Sequence, residues 1–271
     1  MLRATSEKGA DEDHGIVLTF DDITDLVAAQ RNSAWSDIAR RIAHEIKNPL
    51  TPIQLSAERL KRKYGKEITT DPAIFEQCTD TIIRQVGDIG RMVDEFSSFA
   101  RMPAAVLEPD DICRVVKEAV LLQRVSSSDI SFSLAIPETA PPLAFDRRLV
   151  SQAVINLVKN AKEAIETRQQ SQIDPPGRIG VALDVADGFV WLRISDNGIG
   201  LPAENRARLT EPYMTTREKG TGLGLAIVQR IVEEHQGRLL LEDNPNLAPG
   251  ETGARVSIGL PCASAAPANV S

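Results

Sequence analysis

The run His44-Glu45-Ile46-Lys47-Asn48-Pro49-Leu50-Thr51-Pro52 gathers side chains able to do chemistry within little more than two helical turns. A neutral imidazole is a competent nucleophile near pH 7, and an adjacent carboxylate can orient it or take its proton. Around this run Trp35, Ile38, Ile42, Ile46, Leu50, Ile53, Ala57 and Leu60 recur at steps of three or four, which predicts an amphipathic helix over about 28–62. The apolar stripe centres near Ile42, Ile46 and Ile53, which puts His44 about 180° away on the solvent side. Asn48 follows one turn later on the same face, with Thr51 more loosely beside it. Pro49 and Pro52 each cost roughly 3 kcal/mol or more in a regular interior and are expected to bend the helix just beyond the histidine. Strain next to an exposed imidazole points to function rather than filling.

Separate segments farther on suit a nucleotide. Gln152, Asn156 and Asn160 stand four residues apart, so a helix presents three carboxamides on one face. Such a face is ordinarily just solvated, but carboxamides beside Val154, Ile155, Leu157 and Val158 can also ligate a hard cation such as Mg²⁺. Asp196-Asn197-Gly198-Ile199-Gly200 follows a strand pattern, where the glycines allow close backbone approach to a ligand; alone, it could equally be a turn. Gly220-Thr221-Gly222-Leu223-Gly224-Leu225 opens a helix, and glycine-rich backbone there can form a nest for phosphates. It is neither a P-loop nor a dinucleotide fingerprint. The stretch 202–219 between them has little pattern and contains Thr215, Thr216, Arg217 and Lys219, which suits a lid.

The elements that must carry these groups fall into two sets. A second helix from Pro72 to about 101 bears Ile82, Val86, Ile89, Val93, Phe96 and Ala100 in a heptad seam. Two long helices with one stripe each cannot bury it alone; a second copy completing a four-helix bundle solves that, packing against the chain's own second half being the alternative. After Pro103 the texture alternates, with helices predicted near 110–124, 147–169 and 222–236. Strands are predicted near 130–136, 178–185, 189–195, 238–242 and 253–260. This reads as an α+β sandwich. Residues 1–14 read as a tail, 15–20 as one strand, and the end after Pro261 as a frayed tail.

Length and composition bound the rest. The chain has 271 residues, a length that suggests about two domains. Lys and Arg number 31 against 38 Asp and Glu, a formal charge of −7 that argues against a general nucleic-acid binder. Three scattered cysteines make neither a disulfide framework nor a zinc site, which fits a reducing compartment. No apolar run reaches membrane-spanning length and no signal pattern opens the chain.

His44 to Ile53 resembles the H box of bacterial sensor histidine kinases. The later segments resemble the N, G1, F and G2 boxes of the GHKL ATP-binding domain shared with gyrase, Hsp90 and MutL ATPases. The resemblance covers roughly residues 31–262. It implies that His44 accepts the γ-phosphoryl group of ATP, that Glu45 is its acid/base partner, and that Asn48 orients water for dephosphorylating the partner regulator. It further implies that Asn160 is the principal Mg²⁺ ligand with Asn156 nearby, and that Asp196 reads the adenine amino group. Gly198 and Gly200 would shape that pocket, with Gly220, Thr221, Gly222, Leu223 and Gly224 at the phosphates and Thr215, Thr216 and Arg217 in the lid. Leu209 and Tyr213 depart from the phenylalanines many members carry. Glu163 stands where a basic residue is frequent, a role Lys162 or Arg217 could take.

At finer resolution, residues 15–31 together with the Thr210–Val228 segment are similar to the NtrY-type nitrogen-regulation sensor kinases. The implied organisation is the end of a PAS-like domain and linker at 1–30, then a dimerisation and histidine-phosphotransfer domain at 31–105. An ATP-binding domain at 106–263 and a disordered tail at 264–271 complete it. The expected partners are a second copy and the receiver domain of a response regulator, NtrX-like, with no nucleic acid and no direct membrane contact. The fragment is expected to be cytoplasmic, its full-length parent anchored in the bacterial inner membrane. The rival readings are a GHKL-type ATPase without phosphotransfer and a non-enzymatic dimeric adaptor.

Overall fold

Helix α1 (Thr24–Tyr64) carries the imidazole and continues through both Pro49 and Pro52. The computed structural model describes residues 2–8, 14–20, 24–100, 102–125, 129–171, 175–212, 214 and 221–262, the first 40 by backbone alone. The chain divides into two units at Met102 and Pro103.

In the first unit α1 pairs with α2 (Pro72–Ala100). Pro72 suits the first helical position because its fixed φ is helical and its missing N–H would have no partner there. Asp71, in the left-handed region at φ 51°, turns the chain, and its carbonyl accepts from the amides of Ile74 and Phe75 at 3.0 and 3.3 Å. Ion pairs link the helices: Lys47 with Asp94, and Lys61 with Asp80 at 2.6 Å. The Asp80 hydrogen bond is foremost in holding the Lys61 ammonium above its usual range.

The surface between these helices uses only part of the stripes predicted from sequence. Ala43, Ala57, Val86, Val93 and Ala100 are buried, whereas Ile42, Ile46, Ile53, Leu60, Ile82 and Ile89 remain 37–47% exposed. Small residues let two helices approach closely, so the bulky isoleucines lie off that contact. The periodicity named Ala57, Val86, Val93 and Ala100 and missed Ala43, and the isoleucines of the same stripes stay uncovered, as expected of a hairpin that cannot bury them alone. A second correction concerns the start. Residues 2–8 are not tail but strand β1 (Leu2–Lys8), paired antiparallel with β2 (His14–Phe20).

The second unit is a two-layer α+β sandwich. A short pair, β3 (Glu108–Pro109) with β5 (Ala144–Phe145), was not legible in the sequence. Five strands then form a sheet in the order β4-β6-β7-β9-β8: β4 (Ile130–Ala135), β6 (Gly177–Ala186), β7 (Phe189–Asp196), β9 (Ala254–Pro261) and β8 (Arg238–Asp243). The β4–β6 pair is parallel and the others antiparallel. Helices α3 (Ile112–Val125), α4 (Arg147–Ser171) and α5 (Gly224–Glu234) accompany the sheet. Ile179, Val181 and Leu183 alternate with Arg178, Gly180 and Ala182 along β6, the first set buried. That period of two assigns one face to the core and one to solvent. Phe145, Ile112, Leu149, Leu157, Ile165 and Ile231 fill the core at 0–1% exposure, or 2% for Leu157.

Part of the 202–219 stretch read as patternless is a 3₁₀ helix, Arg206–Thr210, entered through Asn205 at φ 58°. Arg206 anchors it to Asp243 at 2.7 Å and to the Pro202 carbonyl at 3.0 Å. The predicted tail beyond Pro261 falls, from residue 263 on, outside the described residues.

Candidate functional site

On α1 the outward face presents His44, Glu45 and Asn48, all exposed, as the sequence spacing predicted. Among the described residues no side chain hydrogen-bonds the His44 imidazole. The Glu45 carboxylate instead lies 3.7 Å from Arg41 Nε one turn earlier. Thr51 Oγ1 donates to the Lys47 carbonyl at 3.3 Å, and Lys47 itself turns inward to Asp94. The imidazole is thus open to a group delivered from solvent.

In the second unit the position of α4 sets the rest. Asp146 caps its first turn: Oδ1 accepts from the amides of Arg148 and Leu149 at 3.0 and 3.1 Å. Its other oxygen accepts from the Val106 amide at 3.2 Å. Burial pushes the Asp146 carboxyl up, but the Leu149 and Val106 amides and Arg148 outweigh it and hold the group below its ordinary range. His235, 3% exposed, joins α5 to this cap: Nε2 accepts from the Asp146 amide at 3.0 Å, and Nδ1 donates to the Ile231 carbonyl at 2.7 Å. These two partners require the Nδ1–H tautomer. Sequence reading missed both residues, which carry no motif.

Half-buried Gln152, Asn156 and Asn160 lie on one face of α4. A Cβ on Gly224 would stand 3.3 Å from Asn160 Oδ1, so the glycine-rich opening of α5 rests directly against that carboxamide. Leu223, the N-cap of α5, makes no side-chain cap bond, which leaves first-turn amides for an anion. Gly222 at φ 68° needs the left-handed conformation that favours glycine. One turn beyond Asn160, Gly198 packs on Ala164; a Cβ there would come within 2.6 Å of the Ala164 Cβ. The Ile199 amide donates to the Ala164 carbonyl at 3.2 Å.

Asp196, 6% exposed, accepts on Oδ1 from the amides of Gly198 at 2.8 Å and Ala254 at 3.3 Å. Residues that sequence reasoning passed over hold this turn from behind. Asn197 accepts from the Arg178 amide at 2.7 Å and donates to the Pro176 carbonyl at 2.9 Å. Thr252 Oγ1 donates to the Gly198 carbonyl at 2.8 Å, and Asn244 Nδ2 to the Asp196 carbonyl at 2.8 Å. A side chain at Gly253 would collide with that same Asp196 carbonyl. Only the neighbourhood of Asn197 to Asp196 could have signalled any of them.

The arrangement fits a Mg²⁺-bound nucleotide on two counts. Among the described residues Asn156 Nδ2 is buried without a partner, and carboxamide O and N can exchange places to suit a ligand. Gly224 leaves open, beside Asn160, the space a side chain would fill. Thr221 and Gly222 are half-buried and Leu223 buried at the same end of α5. Lys162 and Glu163 are half-buried on α4, and Leu209 is buried in the 3₁₀ helix. The expected lid and phosphate residues Thr215, Thr216, Arg217, Lys219 and Gly220 lie outside the described residues, as does Tyr213.

Comparison with known proteins meets this geometry. Residues 34–105 match the His Kinase A (phospho-acceptor) domain, and residues 145–264 the histidine kinase-, DNA gyrase B-, and HSP90-like ATPase domain. Nitrogen regulation protein NtrY of Azorhizobium caulinodans is 59% identical over 90% of this chain and 31% of its own length. A putative NtrY-like sensor histidine kinase of Rickettsia conorii is 44% identical over 79% of this chain and 35% of its own. The chain therefore spans about a third of the curated relatives it matches. Among solved structures, full-length ShkA in complex with AMPPNP aligns at TM-score 0.62 and 24% identity, covering 85% of this chain and 46% of that one. Histidine kinase ThkA in complex with the response regulator TrrA aligns at 0.58 and 22%, covering 97% and 75%. At those identities the likeness speaks for the fold. Two domain matches in order, with the close identity to NtrY, place the chain in the sensor histidine kinases, of the NtrY type.

Proposed function

We propose that this chain is a protein-histidine kinase core that autophosphorylates His44 and passes the phosphoryl group to an aspartate of a response-regulator receiver domain. The observation that carries this reading is the convergence of distant segments on α4. Gly224 rests on Asn160, and one turn later Gly198 rests on Ala164. That brings a candidate phosphate nest and a candidate base reader to one helix, while the first unit holds an exposed imidazole.

In this reading Asn160 ligates Mg²⁺ with Asn156 nearby, and Asp196 accepts from the adenine amino group. Gly198 and Gly200 shape the base pocket. Gly220, Thr221, Gly222, Leu223 and Gly224 hold phosphates, and Thr215, Thr216 and Arg217 close over them. Magnesium supplies neutralisation of phosphate charge. The chain's own work is mostly positioning. His44 attacks as the neutral imidazole. Glu45 takes its proton after leaving Arg41, an exposed pair of the kind that costs about 1 kcal/mol or less to break. Asn48, one turn on, orients the water that dephosphorylates the regulator. The exposed isoleucines of the hairpin support a homodimer. The likeness to NtrY supports nitrogen signalling, an NtrX-like regulator, and a longer parent anchored in the inner membrane. No described helix is long and apolar enough to cross a membrane.

The test is His44→Gln. ³²P incorporation from γ-labelled ATP is expected to vanish while nucleotide still binds; persistent label contradicts the assignment. Asn48→Ala is expected to spare autophosphorylation and slow regulator dephosphorylation, and an unchanged rate removes Asn48 from that role.

A further inference from the structure

The sheet face turned away from the core carries a cavity of about 300 Å³ whose arginines the kinase reading does not use, and whose wall reaches Asp196 and Asn197 of the base-reading turn. Its floor is Gly180 and Ala182 of β6 with Ser133 and Ala135 of β4 and Ser195 of β7. Registry fixes the plan. Ser133 and Ser195 both pair with Gly180, and Ser195 also pairs with Arg255; one step along, Ala135 and Arg193 both pair with Ala182. Outward side chains of one row stand about 4.8 Å apart, and successive rows about 7 Å. Arg178, Arg193 and Arg255 therefore stand on three sides of a patch that has almost no side chains of its own.

The three guanidinium groups are not equally occupied. Arg178 is held by Glu251 at 2.7 and 2.9 Å, and Arg193 by Asp184. Arg255 donates from Nε to the Ser195 hydroxyl at 3.3 Å, and no carboxylate among the described residues pairs with it. Glu242 lies opposite it in the ladder without bridging to it. Asn244 and Asn246 add carboxamides at the rim. A small-residue floor edged by three arginines, of which Arg255 has no carboxylate partner among the described residues, matches a compact anion. Guanidinium binds carboxylate and phosphate in the same forked way.

We propose that this cavity is a second ligand site, for a small anion bearing carboxylate or phosphate groups, with Arg255 as its principal contact. The cavity's own wall leads to the base-reading turn. Asn244 donates to the Asp196 carbonyl, and the Arg178 amide to Asn197. Glu251, which holds Arg178, immediately precedes Thr252, which holds Gly198. An anion that draws Arg178 away from Glu251 loosens the loop that fixes Gly198. This coupling rests on the nucleotide reading above; the site itself does not.

The experiment titrates citrate, and in a second arm inorganic phosphate, into the full chain by calorimetry in Mg²⁺-free, nucleotide-free buffer. The two arms distinguish carboxylate from phosphate as the preferred group. Saturable binding of either anion is expected in the parent chain and in Asn160→Asp. Arg255→Gln is expected to weaken it roughly tenfold or more, the loss of one charge-assisted hydrogen bond. Ala182→Phe, which fills the floor from a solvent-facing strand position, is expected to abolish it. Equal binding in Arg255→Gln, loss in Asn160→Asp alone, or no binding of either anion in the parent chain overturns the site. The coupling is read by titrating ADP with and without saturating citrate, where several-fold weaker ADP binding is expected. Unchanged ADP affinity overturns the coupling, whereas absence of any ADP binding strikes the nucleotide reading and leaves the citrate result standing.

Discussion

The helical hairpin and the α+β unit solve the problem of burial in opposite ways. Among the described residues, buried apolar side chains of the hairpin are alanines and valines, with Met102 at its end, while Ile42, Ile46, Ile53, Ile82 and Ile89 stay exposed. The second unit buries Phe145, Ile112, Leu149, Ile165 and Ile231 almost completely. The first has too little core to stand by itself; the second is self-sufficient. The chemistry divides along the same line. In the proposed function, the group that would receive phosphate sits on an element that needs a partner, and the groups that would hold nucleotide sit where packing alone fixes them.

The largest expected effect breaks the hairpin side. Ile89→Glu places a charge on the uncovered face, and burying it in a bundle is prohibitive. Sedimentation velocity at micromolar chain concentration is expected to show conversion from dimer to monomer, with the ATP unit still melting cooperatively. A dimer that survives both Ile89→Glu and Ile53→Glu shows that this face is not the interface.

Leu157→Ala tests the other side. Emptying a 2% exposed core position is expected to cost about 2–5 kcal/mol in denaturant unfolding of the ATP unit, without changing oligomeric state. A smaller, sharper effect belongs to Gly198→Ala. The new methyl overlaps Ala164, and overpacking of this kind costs about 1–3 kcal/mol. Nucleotide affinity is expected to fall with it. Wild-type affinity in this variant argues that the turn does not set the base pocket.

The smallest effect concerns pH. The Asp146 carboxyl is held below its ordinary value in the folded chain, so its contribution to stability is complete above that ordinary value. It disappears as pH falls through the folded value, because the unfolded chain then binds more protons. Thermal melts over roughly pH 6 to 3 are expected to fall more steeply for the parent than for Asp146→Asn. Parallel profiles contradict the capping role.

Much of the site was legible because it is periodic or glycine-rich. His44 and Asn48 come to one exposed face by a four-residue step, as do Asn156 and Asn160 on α4. Strand and helix positions in the ATP unit follow simple alternation, and element ends moved by only a few residues. What failed did so for physical reasons. Of the buried residues between α1 and α2, Ala43 was missed, because hydrophobicity patterns are dominated by the isoleucines beside it. Strand β1 is mostly polar and has no apolar run like that of β2, so nothing in it marked the residues that pair with β2. His235, Thr252 and Asn244 act by bonding to backbone groups far away in sequence, as does Asp146 toward Val106, which no local pattern encodes.

Phosphate captured by the second unit is expected to end on the imidazole of the first. The direct measurement is to incubate the chain with γ-³²P-ATP and Mg²⁺, digest at alkaline pH and locate the labelled peptide. The account predicts acid-labile, base-stable label on the peptide containing His44. Label on a serine, threonine or another histidine, or ATP hydrolysis with no labelled peptide, contradicts it.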